Sequence, residues 1–112
     1  MNAIDLITKR LSGNRGLAEE ALYLIEEYVD FNELEKEFAF DPDEEYWKEV
    51  CGGEMSDVSD RLADNDMYIF HCFEEYFENI EHSSVWSGLG DCLLIYMKSK
   101  KQNQYENAQR LS

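Results

Sequence analysis

The chain is poor in residues that break helices. It has one proline, Pro42, and six glycines in 112 residues. The stretches 17–41 and 54–87 contain neither. An all-β fold needs turn signals every roughly 8–12 residues, so this spacing excludes one. Basic residues are also scarce, ten Lys and Arg against 25 Asp and Glu, for a net charge of −15. A surface of that sign repels phosphates and anionic headgroups, so neither direct nucleic-acid binding nor membrane association is expected. No apolar run approaches the roughly 20 residues of a membrane span; the longest useful one is Cys92 to Met97. The first sixteen residues mix Asp5 with Lys9, Arg10 and Arg15, and no leader-like apolar region is read there. The three cysteines, Cys51, Cys72 and Cys92, include no Cys-x-x-Cys pair. Reduced thiols and a cytoplasmic location are therefore expected.

Catalytic and cofactor signatures are missing as well. There is no Gly-rich phosphate loop, no Gly-x-Ser-x-Gly and no His-Glu-x-x-His. Two histidines exist, with His71 four residues before Glu75 and His82 four after Glu78. That spacing can serve a metal, but neither histidine has the Glu three residues before it that di-iron bundles use. Asp57, Asp60, Asp64 and Asp66 invite a calcium reading, which fails because Asp64-Asn65-Asp66 is followed by Met67-Tyr68 with no loop glycine. His71 and Cys72 are adjacent, and adjacent residues on a helix point about 100° apart, which disfavours a nucleophile pair. No enzyme activity, metal or cofactor is expected.

What is present is aromatic bulk and acid. Seven Tyr, six Phe and two Trp can fill a core. The charge is unevenly spread. Residues 17–82 carry 22 acids against Lys36, Lys48 and Arg61, a net charge of −19, and the segments on either side are each +2. Solubility alone calls for a charge of roughly 2–8 on a small domain. A basic protein partner accounts for the excess better, because complementary charge speeds encounter and selects partners.

Periodicity predicts an all-α fold, a compact single-domain bundle of five to seven helices. Asn2 caps a short first helix that ends at Ser12-Gly13-Asn14, and a second starts near Arg15 or Gly16. Asp30 caps a continuation bearing Leu34 and Phe38. Asp41 at a cap and Pro42 at the first helical position predict the next start, with Gly52-Gly53 ending that helix and a separate short one bearing Met55, Val58 and Leu62. After Asp64-Asn65-Asp66 comes the strongest stripe: Ile69, Phe70, Phe73, Tyr76, Phe77 and Ile80, all expected to face the core. Ser83 or Ser84 caps the last helix, with a strand at Cys92–Met97 as the minor alternative. The helical domain is drawn over 1–97, and 98–112 is read as a polar, frayed or disordered tail whose removal should matter little.

The candidate partner-binding residues are Asp41, Asp43, Glu44, Glu45, Asp57, Asp60, Asp64 and Asp66. Tyr46 and Trp47 sit among the acids of the DPDEEYWKE segment. They either pack inward or, for Trp47, serve as an anchor rimmed by complementary charge.

Ile4-Asp5-Leu6-Ile7 followed by Leu11-Ser12-Gly13 is similar to the opening of helical immunity proteins of the colicin D type. Small size, acidity and helicity resemble bacterial toxin-immunity proteins more widely, including those of contact-dependent growth inhibition systems. The resemblance covers about a tenth of the chain and carries over no functional residue. It implies a cytoplasmic inhibitor that covers the basic substrate cleft of a cognate toxin, most readily a nuclease. The same charge logic leaves open a phage-type nucleic-acid mimic that blocks restriction or CRISPR machinery.

Overall fold

Helix boundaries arise from short side chains that accept backbone N–H groups left open at helix starts. In the computed structural model, which describes the backbone of residues 2–111 and the side chains of residues 2–102, Asn2 accepts from Asp5 N (3.0 Å) and starts α1, Ala3–Arg10. Asn14 accepts from Leu17 N (3.1 Å) and starts α2, Arg15–Tyr28. Asp30 does the same for α3, Phe31–Phe38, through Asn32 N (3.1 Å). Then come α4, Glu44–Asn65, and α5, Met67–Glu74, which runs without a break into a π-helical segment, Glu75–Ile80. Helix α6, Val85–Leu111, comes after a tight turn in which the Ser84 hydroxyl accepts from Ser87 N (3.3 Å). The fold is all-α, and among the described residues there is no strand. None of these helices is long and apolar enough to cross a membrane.

Four sequence expectations change. First, the start of α4 is capped by Asp43, whose carboxylate accepts from Tyr46 N at 2.9 Å. Asp41 lies two residues earlier at φ +60°. That left-handed conformation is not the extended one of a cap, and Pro42 lies ahead of the helix, which begins at Glu44, so the cap passes to the next acid.

Second, Gly52-Gly53 do not end a helix. They lie inside the 22-residue α4. A Cβ on Gly90 of α6 would stand 2.8 Å from Gly52 Cα. The glycines let two backbones meet, and Glu44 beside Lys98 together with Gly52 against Gly90 makes α4 and α6 antiparallel. Glycine weakens a helix by about 1 kcal/mol relative to alanine, and close packing of the two helices offsets it.

Third, Ile80 does not face the core; it is 64% exposed. A π turn bonds i to i+5 and so inserts a residue into the α period. One inserted residue rotates the side chains beyond it by about 100°, which swings Ile80 off the face of Phe73 and Phe77.

Fourth, α6 does not stop at Met97. Ser99 is buried, and Lys98, Lys100 and Lys101 pair with Glu44, Glu35 and Asp41 of the α3–α4 region. The side chains of the expected tail from 103 onward lie outside the described residues.

The core gathers around α6. Leu89, Cys92, Leu93 and Met97 meet Cys51, Met55 and Val58 of α4, Ile7 and Leu11 of α1, and Ala21 and Ile25 of α2 in one buried cluster. Phe73 and Phe77 stack nearly parallel (6.3 Å, 9°), and Gly88 lies so close beneath Phe77 that a Cβ there would overlap the ring. Arg10 ties the sequence ends of the bundle together. Its guanidinium donates to both carboxylate oxygens of Glu81 (2.7 and 3.2 Å) and to Asp91 (3.1 Å).

Candidate partner-binding surface

The acids of α4 are sorted by the buried side of the helix. Trp47, Cys51, Met55, Val58 and Leu62 recur at three- and four-residue steps and point into the core. At about 100° per residue, Glu45, Glu49, Asp57, Asp60 and Asp64 fall on the opposite side, and all five are exposed. They form one outward line roughly 28 Å long at 1.5 Å per residue, broken only at Gly53. None of the five forms an ion pair with a described residue. Unpaired carboxylates in a row are a source of long-range negative field.

The candidate acids divide into two groups along this helix. Asp41, Asp43, Glu44 and Glu45 lie at its start; Asp57, Asp60, Asp64 and Asp66 lie along its second half and end. The first group is partly neutralised from within. Lys101 Nζ approaches Asp41 (3.4 Å) and Lys98 Nζ approaches Glu44 (3.3 Å). Asp43 and Asp66 both cap helices, the latter accepting from Ile69 N (3.3 Å). Glu45, Asp57, Asp60 and Asp64 are the ones left with neither a cationic partner among the described residues nor a cap to hold.

Trp47 is 4% exposed and lies against Phe38, ring centroids 4.3 Å apart. It is a core residue and presents no surface to a partner. The exposed aromatics at this end are Phe40, 81% exposed, and Tyr46, 44% exposed. Phe40 was missed on the sequence. Its signal is its place directly before Asp41-Pro42, where the chain has left α3 and cannot yet enter α4.

A second group of acids was missed because its members come from different elements. Glu54 of α4 feels Asp57 on its own helix, Asp30 at the cap of α3 and Glu37 on α3. Partial burial first, and then these three charges, hold its carboxyl above the usual range, with Arg61 opposing. The field of α4 therefore continues onto α3.

The thiols add nothing reactive to this face. Burial, aided by Glu54 and Asp91, pushes the Cys51 thiol up to about 12, and burial raises Cys92 to about 12 as well. Both stay protonated at neutral pH and act as small apolar core groups. Among the described residues no three His, Cys, Asp or Glu side chains converge as metal ligands.

A groove separates the first turns of α2 from α5 and the π-helical segment. Its volume is about 450 Å³, and its walls include Leu17, Glu20, Tyr68, Ile69, Glu75 and Ile80. Tyr68, 78% exposed, stands two residues beyond Asp66, so the groove begins close to where the α4 line ends.

No family model, curated protein or solved structure matches the chain.

Proposed function

We propose that this protein is an immunity-type inhibitor that acts in the cytoplasm by binding rather than by catalysis. Its partner is a cognate toxin with a basic substrate cleft, most readily a nuclease domain. The observation that carries the reading is the line Glu45, Glu49, Asp57, Asp60 and Asp64, whose carboxylates have no cationic partner among the described residues. Keeping so many like charges together costs stability, and a complementary cationic cleft recovers that cost on binding. The inhibitor would occupy the positions that phosphates take in the toxin's substrate.

The test is co-expression with the product of the adjacent open reading frame, scoring growth and cleavage of cellular RNA and DNA. Protection by the wild-type chain, and its loss in an Asp57→Asn, Asp60→Asn, Asp64→Asn variant that still folds, is the expected outcome. A neighbour that is not toxic, or protection that survives the triple variant, overturns the reading.

A second reading is a phage-type nucleic-acid mimic directed at restriction or CRISPR machinery. It is favoured by the length of the acid line, roughly 28 Å, which equals on the order of eight base-pair steps at about 3.4 Å each. Inhibition of such an enzyme in competition with DNA, without any toxic neighbour, distinguishes it.

A further inference from the structure

The groove between α2 and the π-helical segment exposes apolar side chains that a protein surface ordinarily covers. Tyr68 and Ile80 are 78% and 64% exposed. Ile80 is exposed because the backbone departs from the α period; in an α-helix its position after Tyr76 and Phe77 would bury it. Such π segments recur at functional positions. The two residues stand twelve apart along one continuous helical rod, roughly 18 Å at 1.5 Å per residue. Three turns of a second helix match that length.

We propose that this groove is a docking site for a cationic amphipathic helix of the partner protein. Its apolar face sits on Tyr68, Ile69 and Ile80, and its lysines or arginines lie against Glu20 and Glu75. The charge of the rim selects this occupant. Both acidic groove residues carry no ion pair with a described residue. The cation nearest in sequence, Arg15, is engaged by Asp5 (3.5 Å) and Glu19 (3.4 Å). A second copy of this chain would bring acid against acid at a net charge of −15 per molecule. Among the described residues there is no strand edge, so an extended segment has no backbone ladder to join there. The inference rests on the proposed function, in which the partner is basic, and adds where that partner's apolar anchor sits.

Cys72 supplies the readout. It is the partly exposed cysteine of the three and lines the groove, whereas Cys51 and Cys92 are buried. The probes are three synthetic peptides of about four helical turns: an amphipathic Leu/Lys helix, its Leu/Glu counterpart, and a Lys-only peptide. The rate at which a small maleimide labels Cys72 is measured against peptide concentration, with sedimentation recording the protein's mass. The Leu/Lys helix is expected to slow labelling saturably. The Tyr68→Ala, Ile80→Ser variant, altered at two exposed positions and unchanged in melting temperature, is expected to bind it at least tenfold more weakly. The Asp57→Asn, Asp60→Asn, Asp64→Asn variant is expected to keep the protection. Equal protection by the Lys-only or the Leu/Glu peptide overturns the proposal, as does protection that survives the groove variant. A dimer in the wild type that the groove variant abolishes overturns it in favour of self-association. Because the probes are synthetic, failure of groove binding and failure of toxin inhibition are read separately.

Discussion

At the scale of single residues, two carboxylates respond to pH with opposite signs. Glu54 is held above the ordinary value of 4.5, by partial burial first and then by Asp57, Asp30 and Glu37. The folded state therefore binds its proton more tightly than the unfolded chain does. The contribution of this group to stability is greatest below about 4.5 and declines as pH rises through the raised folded value. Glu54→Gln removes that penalty and should stabilise the fold at pH 7 by a few tenths of a kcal/mol. The gain should vanish by pH 4, where the wild-type carboxyl is itself protonated. Urea midpoints of both proteins at the two pH values decide this, and a lower midpoint for the variant at pH 7 would contradict it.

Glu81 behaves in the reverse way. Partial burial pushes its carboxyl up, but hydrogen bonds from Arg10 and Tyr76 and the Arg10 charge together draw it below 4.5. Its stabilising contribution is complete above 4.5 and is lost as pH falls through the lowered folded value. Removing the guanidinium leaves Glu81 and Asp91 without their shared donor. Arg10→Met should cost about 1–2 kcal/mol at pH 7, and less at pH 3. Thermal unfolding at both pH values measures the difference.

At the scale of helices, one glycine of α4 and one of α6 make opposite predictions. A Cβ on Gly53 meets nothing within 4 Å. Gly53→Ala should therefore stabilise by about 0.5–1 kcal/mol through helix propensity alone. Across the α4–α6 crossing, a Cβ on Gly90 would meet Gly52 Cα at 2.8 Å and Gly52 N at 2.9 Å. Backbone cannot step aside as a flexible side chain does, so Gly90→Ala should cost about 1–3 kcal/mol. Denaturant midpoints that move in the same direction for both variants would show that the two backbones do not meet closely at Gly52 and Gly90. The two kinds of feature also differ in how far a sequence discloses them. The caps at Asn2, Asp30 and Asp66 act on N–H groups two or three residues away, so their meaning is local and legible. The reason Gly52 belongs inside a helix lies on α6, some forty residues along the chain, and no local pattern contains it. Ile80 misleads for a related reason: a period of 3.6 assumes that no residue is inserted, and the π turn inserts one. The acid line shares that fate. Glu45, Glu49, Asp57, Asp60 and Asp64 read as one face only once Gly52-Gly53 are known to be helical.

At the scale of the whole molecule, the charge is arranged so that the bundle restrains part of it and leaves part free. Lys98, Lys100 and Lys101 reach from α6 to Glu44, Glu35 and Asp41, and Lys100 also lies over the Phe31 ring at 4.8 Å. The second half of the α4 line receives no such cation from the described residues. Ending the chain after Met97 removes a net charge of +3 and takes the molecule from −15 to −18. Exposed pairs contribute roughly 0.2–1 kcal/mol each, and the burial of Ser99 is lost with them. The shortened protein should be about 1–2 kcal/mol less stable at low ionic strength. Self-repulsion between exposed charges is screened beyond about 10 Å at 0.1 M salt. Salt should therefore raise the melting temperature of both proteins, and raise that of the shortened one further. Calorimetry from about 0.01 to 0.5 M salt tests this directly. Equal stability of the two proteins at low salt would mean that the lysines of α6 do no more than decorate the surface. A deficit that closes with salt would mean that α6 neutralises the start of α4 so that the free field is concentrated toward Asp57, Asp60 and Asp64. That is the end of the helix from which the groove at Tyr68 begins.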